Sequence, residues 1–220
     1  MISFTFDDFP ISALEVAGPI LAKYSAPATY YAALGLMGRK ESPVGPIFSE
    51  ADLKEVVKRG HELGCHTYSH CDAWFTGPAE FEASVLRNEE ALKKIMPEAA
   101  FASLSYPICV PRPETKRRSA RRFSCCRGGG QTFNTGVVDL SNLKAYFLEQ
   151  SKGDLNPIRR LIDQNAAQNG WLIFATHDVC EKPTRLGCTP EFFETVVSWS
   201  VQSGAKILPV GRARELVRTA

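Results

Sequence analysis

Along its whole length the chain alternates short β-rich runs with longer stretches of helical periodicity, a pattern that admits few folds. The strand runs are Ile2 to Phe6, Ala28 to Leu34, Glu62 to Thr67, Ala102 to Tyr106, Arg122 to Cys126, Lys144 to Glu149, Trp171 to Thr176 and Lys206 to Val210. Helices are expected at Ser12 to Tyr24, Glu50 to Arg59, Ala79 to Ile95, Pro113 to Arg121, Leu155 to Asn169 and Pro190 to Ser203. Strands that alternate with helices form parallel sheets. Eight such runs predict an α/β fold, a distorted (β/α) barrel of seven to eight parallel strands, TIM-like.

Local punctuation agrees with this. Ser49 stands before Glu50-Ala51-Asp52 as a cap followed by an acidic first turn, Gly60 follows a basic end, and Gly170 and Gly204 close two later helices. Gly35 to Ile47 holds three glycines and two prolines and is expected to be a long loop, and Gly128-Gly129-Gly130 marks another. No repeat or linker interrupts the pattern. The 220 residues suit one barrel, so residues 1–220 are expected to form a single domain.

Composition narrows the function. A formal net charge of +2 gives no general case for nucleic acid. No apolar run approaches the ~18 residues of a membrane helix, and Met1 leads directly into a strand, so a soluble, cytoplasmic protein without a transmembrane segment is expected. Seven cysteines, an odd number and partly adjacent as Cys125-Cys126, fit buried thiols in a reducing compartment. None forms a CxxC pair, so a structural thiolate metal site is set aside. Nothing in the sequence specifies an oligomeric state.

In a parallel barrel, chemistry collects where strands end. The polar residues placed there are Asp7-Asp8, His66 to His70, Tyr106-Pro107, Arg127 and His177-Asp178. One carboxylate and two imidazoles make a three-ligand metal set with open positions, and a second carboxylate remains as a base. An imidazole titrates near neutrality and suits proton return to a leaving amine.

Three of these segments carry a family resemblance. Thr5-Phe6-Asp7-Asp8, His66-Thr67-Tyr68-Ser69-His70 and Leu172-Ile173-Phe174-Ala175-Thr176-His177 resemble the first, second and last motifs of the polysaccharide deacetylases of the NodB-homology superfamily, carbohydrate esterase family 4. The resemblance implies Asp7 as catalytic base, Asp8, His66 and His70 as metal ligands, and His177 as general acid. It also implies a carbohydrate substrate that loses an N-linked acetyl group to metal-activated water.

The third motif departs from the family. An arginine two residues before a Pro-Tyr pair is usual, but this chain reads Ser105-Tyr106-Pro107-Ile108. Since that arginine orients the catalytic carboxylate in the family, Arg127, which follows the fifth strand and precedes three glycines, is expected either to take its place from the neighbouring position or to be a surface arginine. Tyr106 and Ile108 remain candidates for substrate contact, Ile108 through its backbone N–H as an oxyanion donor. Asp139 and Asp178 are the aspartates available to orient His177, and solvation or capping accounts for both more simply.

Other signals are weaker. Trp74 stands in a loop four residues after His70 and is expected either to pack or to line a sugar; Tyr68 and Phe9 carry the same ambiguity. His61 precedes its strand and is expected to be structural, and Cys65 to be a small core residue. Seven basic residues between Arg112 and Arg127 face the single acid Glu114, which would suit an anionic or phosphate-linked sugar or, more simply, a solvated helix face.

Zinc is the default ion for this ligand set, which also admits cobalt, nickel, manganese or iron. Two other readings keep the barrel: hydrolysis of a formamide, ureide or cyclic amide, and a catalytically silent glycan-binding protein.

Overall fold

The computed structural model describes residues 1–217. Seven parallel strands, β1 (Ile2–Phe6), β2 (Ala28–Ala32), β3 (Glu62–Cys65), β4 (Leu104–Ser105), β5 (Cys126–Arg127), β6 (Tyr146–Phe147) and β7 (Leu172–Thr176), curl into one sheet of order β5-β4-β3-β2-β1-β7-β6. The fold is the expected distorted (β/α) barrel of parallel strands. Its two edges meet where Leu143, just before β6, bridges Arg127 in parallel, with Gly128 N–H donating to the Leu143 carbonyl. Around it run α1 (Ile11–Glu15), α2 (Ala17–Lys23), α3 (Glu50–Lys58), α4 (Pro78–Ile95), α5 (Pro113–Ser119), α6 (Leu155–Ala167), α7 (Pro190–Gln202) and α8 (Val210–Glu215).

Side-chain alternation in the strands separates two cores. Phe4 and Phe6 of β1 pack outward onto Phe193 of α7, whereas Trp171, Ile173, Ala175 and Phe147 cluster with Val210 and Ala213 of α8 in a second core. Polar groups on that inner side are paired: Trp171 Nε1–H donates to Ser3 Oγ, and Val210 N–H to Thr29 Oγ1. β1, β2 and β7 are buried at every position, as strands covered on both faces must be. Asp7 continues the ladder with its N–H on the Thr176 carbonyl, which sets it beside the residue that precedes His177.

The strands expected over Ala102 to Tyr106 and Lys144 to Glu149 shorten to β4 and β6, with a 3-10 turn at Leu148–Ser151 after the latter, and three further elements change. Arg122 to Ser124 are not strand; α5 ends in a turn and the strand begins at Cys126, so Arg127 lies in β5 rather than after it. No eighth strand forms at Lys206 to Val210 among the described residues, because only Ile207 bridges Ile2 before Val210 starts α8. The helix expected over Ser12 to Tyr24 divides at Val16, because Pro19 has no N–H for the Glu15 carbonyl and its ring crowds that turn.

Candidate active site

The turns at the carboxyl ends of β1, β3 and β4 are backbone-strained. Asp8, Phe9, Thr67, His70, Ile108 and Cys109 all have φ between 49° and 72°, a left-handed region that costs an L-residue roughly 1–2 kcal/mol. Thr67 and Ile108, both β-branched, at φ 58° and 62°, are the most unfavourable of them. The turn after β3 is held by Cys71 N–H donating to Thr67 Oγ1 and by Tyr68 N–H donating to Ser84 Oγ of α4, while Asn88 of α4 fixes the neighbouring end of β2, accepting from Leu34 N–H and donating to the Ala32 carbonyl. Such strain persists only where surrounding structure overrides it, and it concentrates at functional sites.

These turns bring Asp8, His66 and His70 together, with the Asp8 Oδ1 atom 3.5 Å from His66 Nε2 and 3.1 Å from His70 Nε2. Donor atoms sharing a cation at 2.0–2.2 Å lie about 2.9 to 3.5 Å apart, so the set fits one ion. His66 supplies an independent sign. Its Nδ1 lies 2.9 Å from the Ser105 carbonyl, which can only accept, so the ring hydrogen is on Nδ1. Burial pushes His66 down to about 4, so the neutral ring turns a bare Nε2 lone pair toward a carboxylate. Asp8 Oδ1 is itself buried without a hydrogen-bond partner. Two acceptors held face to face repel unless a cation lies between them.

Asp7 has a different environment. Its Oδ1 accepts from Arg127 Nη2, and Ser105 Oγ lies 3.4 Å away. Burial alone would raise its pKa, but the charge of Arg127, followed by His66 and His177, lowers it from 3.8 to about 2. Arg127 is fully buried, bonded also to Ser105 Oγ and the Gly128 carbonyl, with its Cζ 5.1 Å from the Tyr31 ring centre and 5.3 Å from that of Phe147. Gly64 makes room for this arrangement, since a Cβ there would come within 2.3 Å of the Tyr31 ring.

His177, at the end of β7, is buried beneath the rim and places Nδ1 3.1 Å from the Leu186 carbonyl. Phe147 stacks on it at 6.3 Å. The Ile108 N–H donates to no group among the described residues. Together the site holds an ionised carboxylate, a three-donor cation set, an imidazole with a directed ring and an unspent backbone donor.

A family model described as polysaccharide deacetylase matches residues 1–123, more than half of the chain. The chain belongs to the polysaccharide deacetylase family. A curated relative, the chitooligosaccharide deacetylase of Sinorhizobium fredii, is 28% identical over 111 residues, which are 50% of this chain and 47% of that protein. The chain therefore spans about half the length of that relative. A family 4 acetyl xylan esterase from Clostridium thermocellum, solved with a cobalt ion, shares the fold at TM-score 0.67 and 19% identity, over 98% of this chain and 90% of its own. The Bc1960 peptidoglycan N-acetylglucosamine deacetylase does so at TM-score 0.62 and 16% identity, over 96% and 86%.

Several residues singled out in this deacetylase-family sequence lie elsewhere. Tyr106 cannot touch a substrate: it is fully buried against Phe81, and its hydroxyl donates to the Ser141 carbonyl. Trp74, 46% exposed, lines a groove of about 600 Å³ with Val110, Lys116, Arg117 and Asn142 on the rim. Neither aspartate considered for His177 bonds to it, because Asp139 pairs with Lys116 and Asp178 accepts from Thr184 N–H and Oγ1–H. Phe9 is core, stacked on Phe48, and His61 accepts from Ala28 N–H. The basic run is largely neutralised by carboxylates, Lys116 by Asp139, Arg117 by Glu114, Arg118 by Glu82 and Glu114, and Arg122 by Glu89.

Two contributors went unnoticed in the sequence: Ser105 and the Leu186 carbonyl. Ser105, a polar residue inside β4, carried a faint signal; the other had none.

Proposed function

We propose that the protein is a metal-dependent hydrolase that removes an N-linked acetyl group from an N-acetylated sugar or glycan. The observation that carries this reading is the cation-shaped cluster of Asp8, His66 and His70 beside a separate, arginine-paired carboxylate, Asp7. Asp8, His66 and His70 would hold the ion, with zinc the default. A divalent cation there would acidify water and polarise the substrate carbonyl, which would let a carboxylate as weak as Asp7 serve as base.

Asp7 takes the proton of the attacking water. Arg127 keeps Asp7 charged and aimed, a positioning role in place of the absent motif-three arginine. The Ile108 N–H faces the oxygen on which negative charge develops, and the strained turn prepays its orientation. His177 delivers a proton to the departing amine, its ring direction held by the Leu186 carbonyl. The curated relative and the structural neighbours named above, deacetylases and an esterase acting on carbohydrates, support a glycan substrate. The seven unpaired thiols suit a reducing compartment, and no helix of the described residues is long and apolar enough to cross a membrane.

The test is acetate release from a panel of N-acetylhexosamine oligomers, nucleotide-linked and lipid-linked sugars after metal loading. Turnover that Asp7→Asn abolishes while the metal stays bound is expected. Release of formate or ammonia alone, or turnover by thoroughly demetallated protein, would overturn the assignment.

A further inference from the structure

The two histidines of the cation set are supported unequally. His66 is buried, and its Nδ1 meets the Ser105 carbonyl. His70 is only partly buried, with Nε2 toward Asp8, and its Nδ1 meets no hydrogen-bond partner among the described residues. A metal-ligating histidine ordinarily has its ring direction fixed by a bond through the second nitrogen. His70 lacks that bond, so the direction of its ring depends on the backbone that carries it.

That backbone is the turn between the two ligands, entered at Thr67 with φ 58° and left at His70 with φ 51°. A serine from α4 reaches into it. Ser84 Oγ lies 3.0 Å from the Tyr68 nitrogen and 3.3 Å from the Ser69 nitrogen, accepting from both N–H groups, and 3.1 Å from Ser69 Oγ. The Ser84 carbonyl takes a second share of the Tyr68 N–H at 3.1 Å. A serine hydroxyl inside a helix commonly turns to the carbonyl four residues back, but that of Ser84 is used on the turn.

Tyr68 is gripped from its other sides as well. Gly35 N–H donates to its carbonyl at 2.8 Å, and a Cβ on Gly35 would come within 2.4 Å of that oxygen. Arg87, one turn past Ser84, places Cζ 3.9 Å from the Tyr68 ring centre. The helix behind these contacts is firmly seated, because α4 buries Phe81, Val85, Asn88 and Leu92. Ser84 is therefore a fixed point against which the turn is set.

We propose that Ser84 is a positioning residue for His70, its Oγ fixing the turn that sets the direction of this metal ligand. The proposal rests on the reading of Asp8, His66 and His70 as a cation site. Without the hydroxyl, Tyr68 N–H keeps the Ser84 carbonyl, but Ser69 N–H is left to solvent and the turn loosens at the residue before His70. The bonds to Ser69 are exposed, so the expected effect is about tenfold, the lower end for groups that orient a metal ligand.

Zinc binding to the metal-free protein, measured by competition with a chromophoric chelator, is expected to weaken about tenfold in Ser84→Ala and to return to within about threefold of wild type in Ser84→Thr, which keeps an Oγ. Cobalt loaded into the same proteins is expected to show visible bands altered in the Ala variant and restored in the Thr variant. Thermal unfolding of metal-free Ser84→Ala is expected to match wild type, because alanine favours the helix where the lost bonds favoured the turn. A Ser84→Ala protein with wild-type zinc affinity and cobalt spectrum overturns the proposal, and so does a weakening that Ser84→Thr does not relieve. A merely structural Ser84 would lower the melting temperature of the metal-free protein and leave both metal readouts in place. Failure of the cation-site reading shows differently: wild-type and His66→Ala proteins then bind zinc alike, and the proposal falls with it.

Discussion

Replacing Arg127 by Met tests the buried pair on which Asp7 depends. The depression of Asp7 from 3.8 to about 2 corresponds to about 2 to 3 kcal/mol of stability at neutral pH. For a lowered carboxylate that stability is present above the unfolded value and disappears as pH falls through the folded one. The wild type should therefore lose it between pH 3.8 and about 2. In Arg127→Met the sign reverses. Burial, the largest influence on Asp7, is then opposed only by the histidines, so the folded pKa rises and stability falls as pH rises through the ordinary carboxylate range.

Leaving a buried carboxylate without its partner typically costs about 3 to 5 kcal/mol. That is a large part of the roughly 5–15 kcal/mol of a typical domain, so Arg127→Lys, which keeps the charge but loses the planar fork, is the companion variant. Urea unfolding at pH 5 and pH 8 should show the Met variant weaker at both and relatively worse at pH 8, with Lys intermediate. In metal-loaded protein, the acid limb of kcat/KM for acetate release should move to higher pH in the same order. A Met variant with wild-type unfolding midpoints and an unmoved acid limb would refute the argument that Arg127 holds Asp7 ionised.

Other outcomes follow from the same geometry. His66→Ala or Asp8→Asn should reduce metal stoichiometry in the purified protein, measured by elemental analysis, while Asp7→Asn should leave it unchanged and remove turnover. Ile108→Gly should raise stability by about 1 kcal/mol in urea unfolding, because glycine relieves the left-handed strain at an exposed side chain. Gly187→Ala should lower kcat with little loss of metal: a Cβ there would come within 2.3 Å of the Asp178 carbonyl oxygen and displace the loop whose Leu186 carbonyl orients His177.

Much of the fold was legible because a parallel barrel is a periodic object. Buried strands show as β-rich runs, nearly all apolar in Leu172–Thr176 and alternating with Ser3 and Thr5 in Ile2–Phe6, and helices need caps such as Ser49 with Asp52, so local composition marks both. Where tertiary contacts set the boundary, the reading slipped. The two-residue strands β4 and β5 are defined by their neighbours rather than by propensity, and Lys206 to Val210 resembles a strand but finds only one bridging partner.

The site divides the same way. The residue types, the order Asp7-Asp8, His66, His70, His177, and their places after strands were set by the sequence, because the chemistry demands particular side chains and the fold demands that they follow strands. What only the tertiary structure decided is who faces whom. Arg127 meets Asp7 from 120 positions away, Tyr106 turns into the core, the basic run finds its carboxylates, and the Leu186 carbonyl arrives at the His177 ring. Such pairings depend on strand register and side-chain direction across the closed ring, and no local pattern encodes a contact between residues so far apart along the chain.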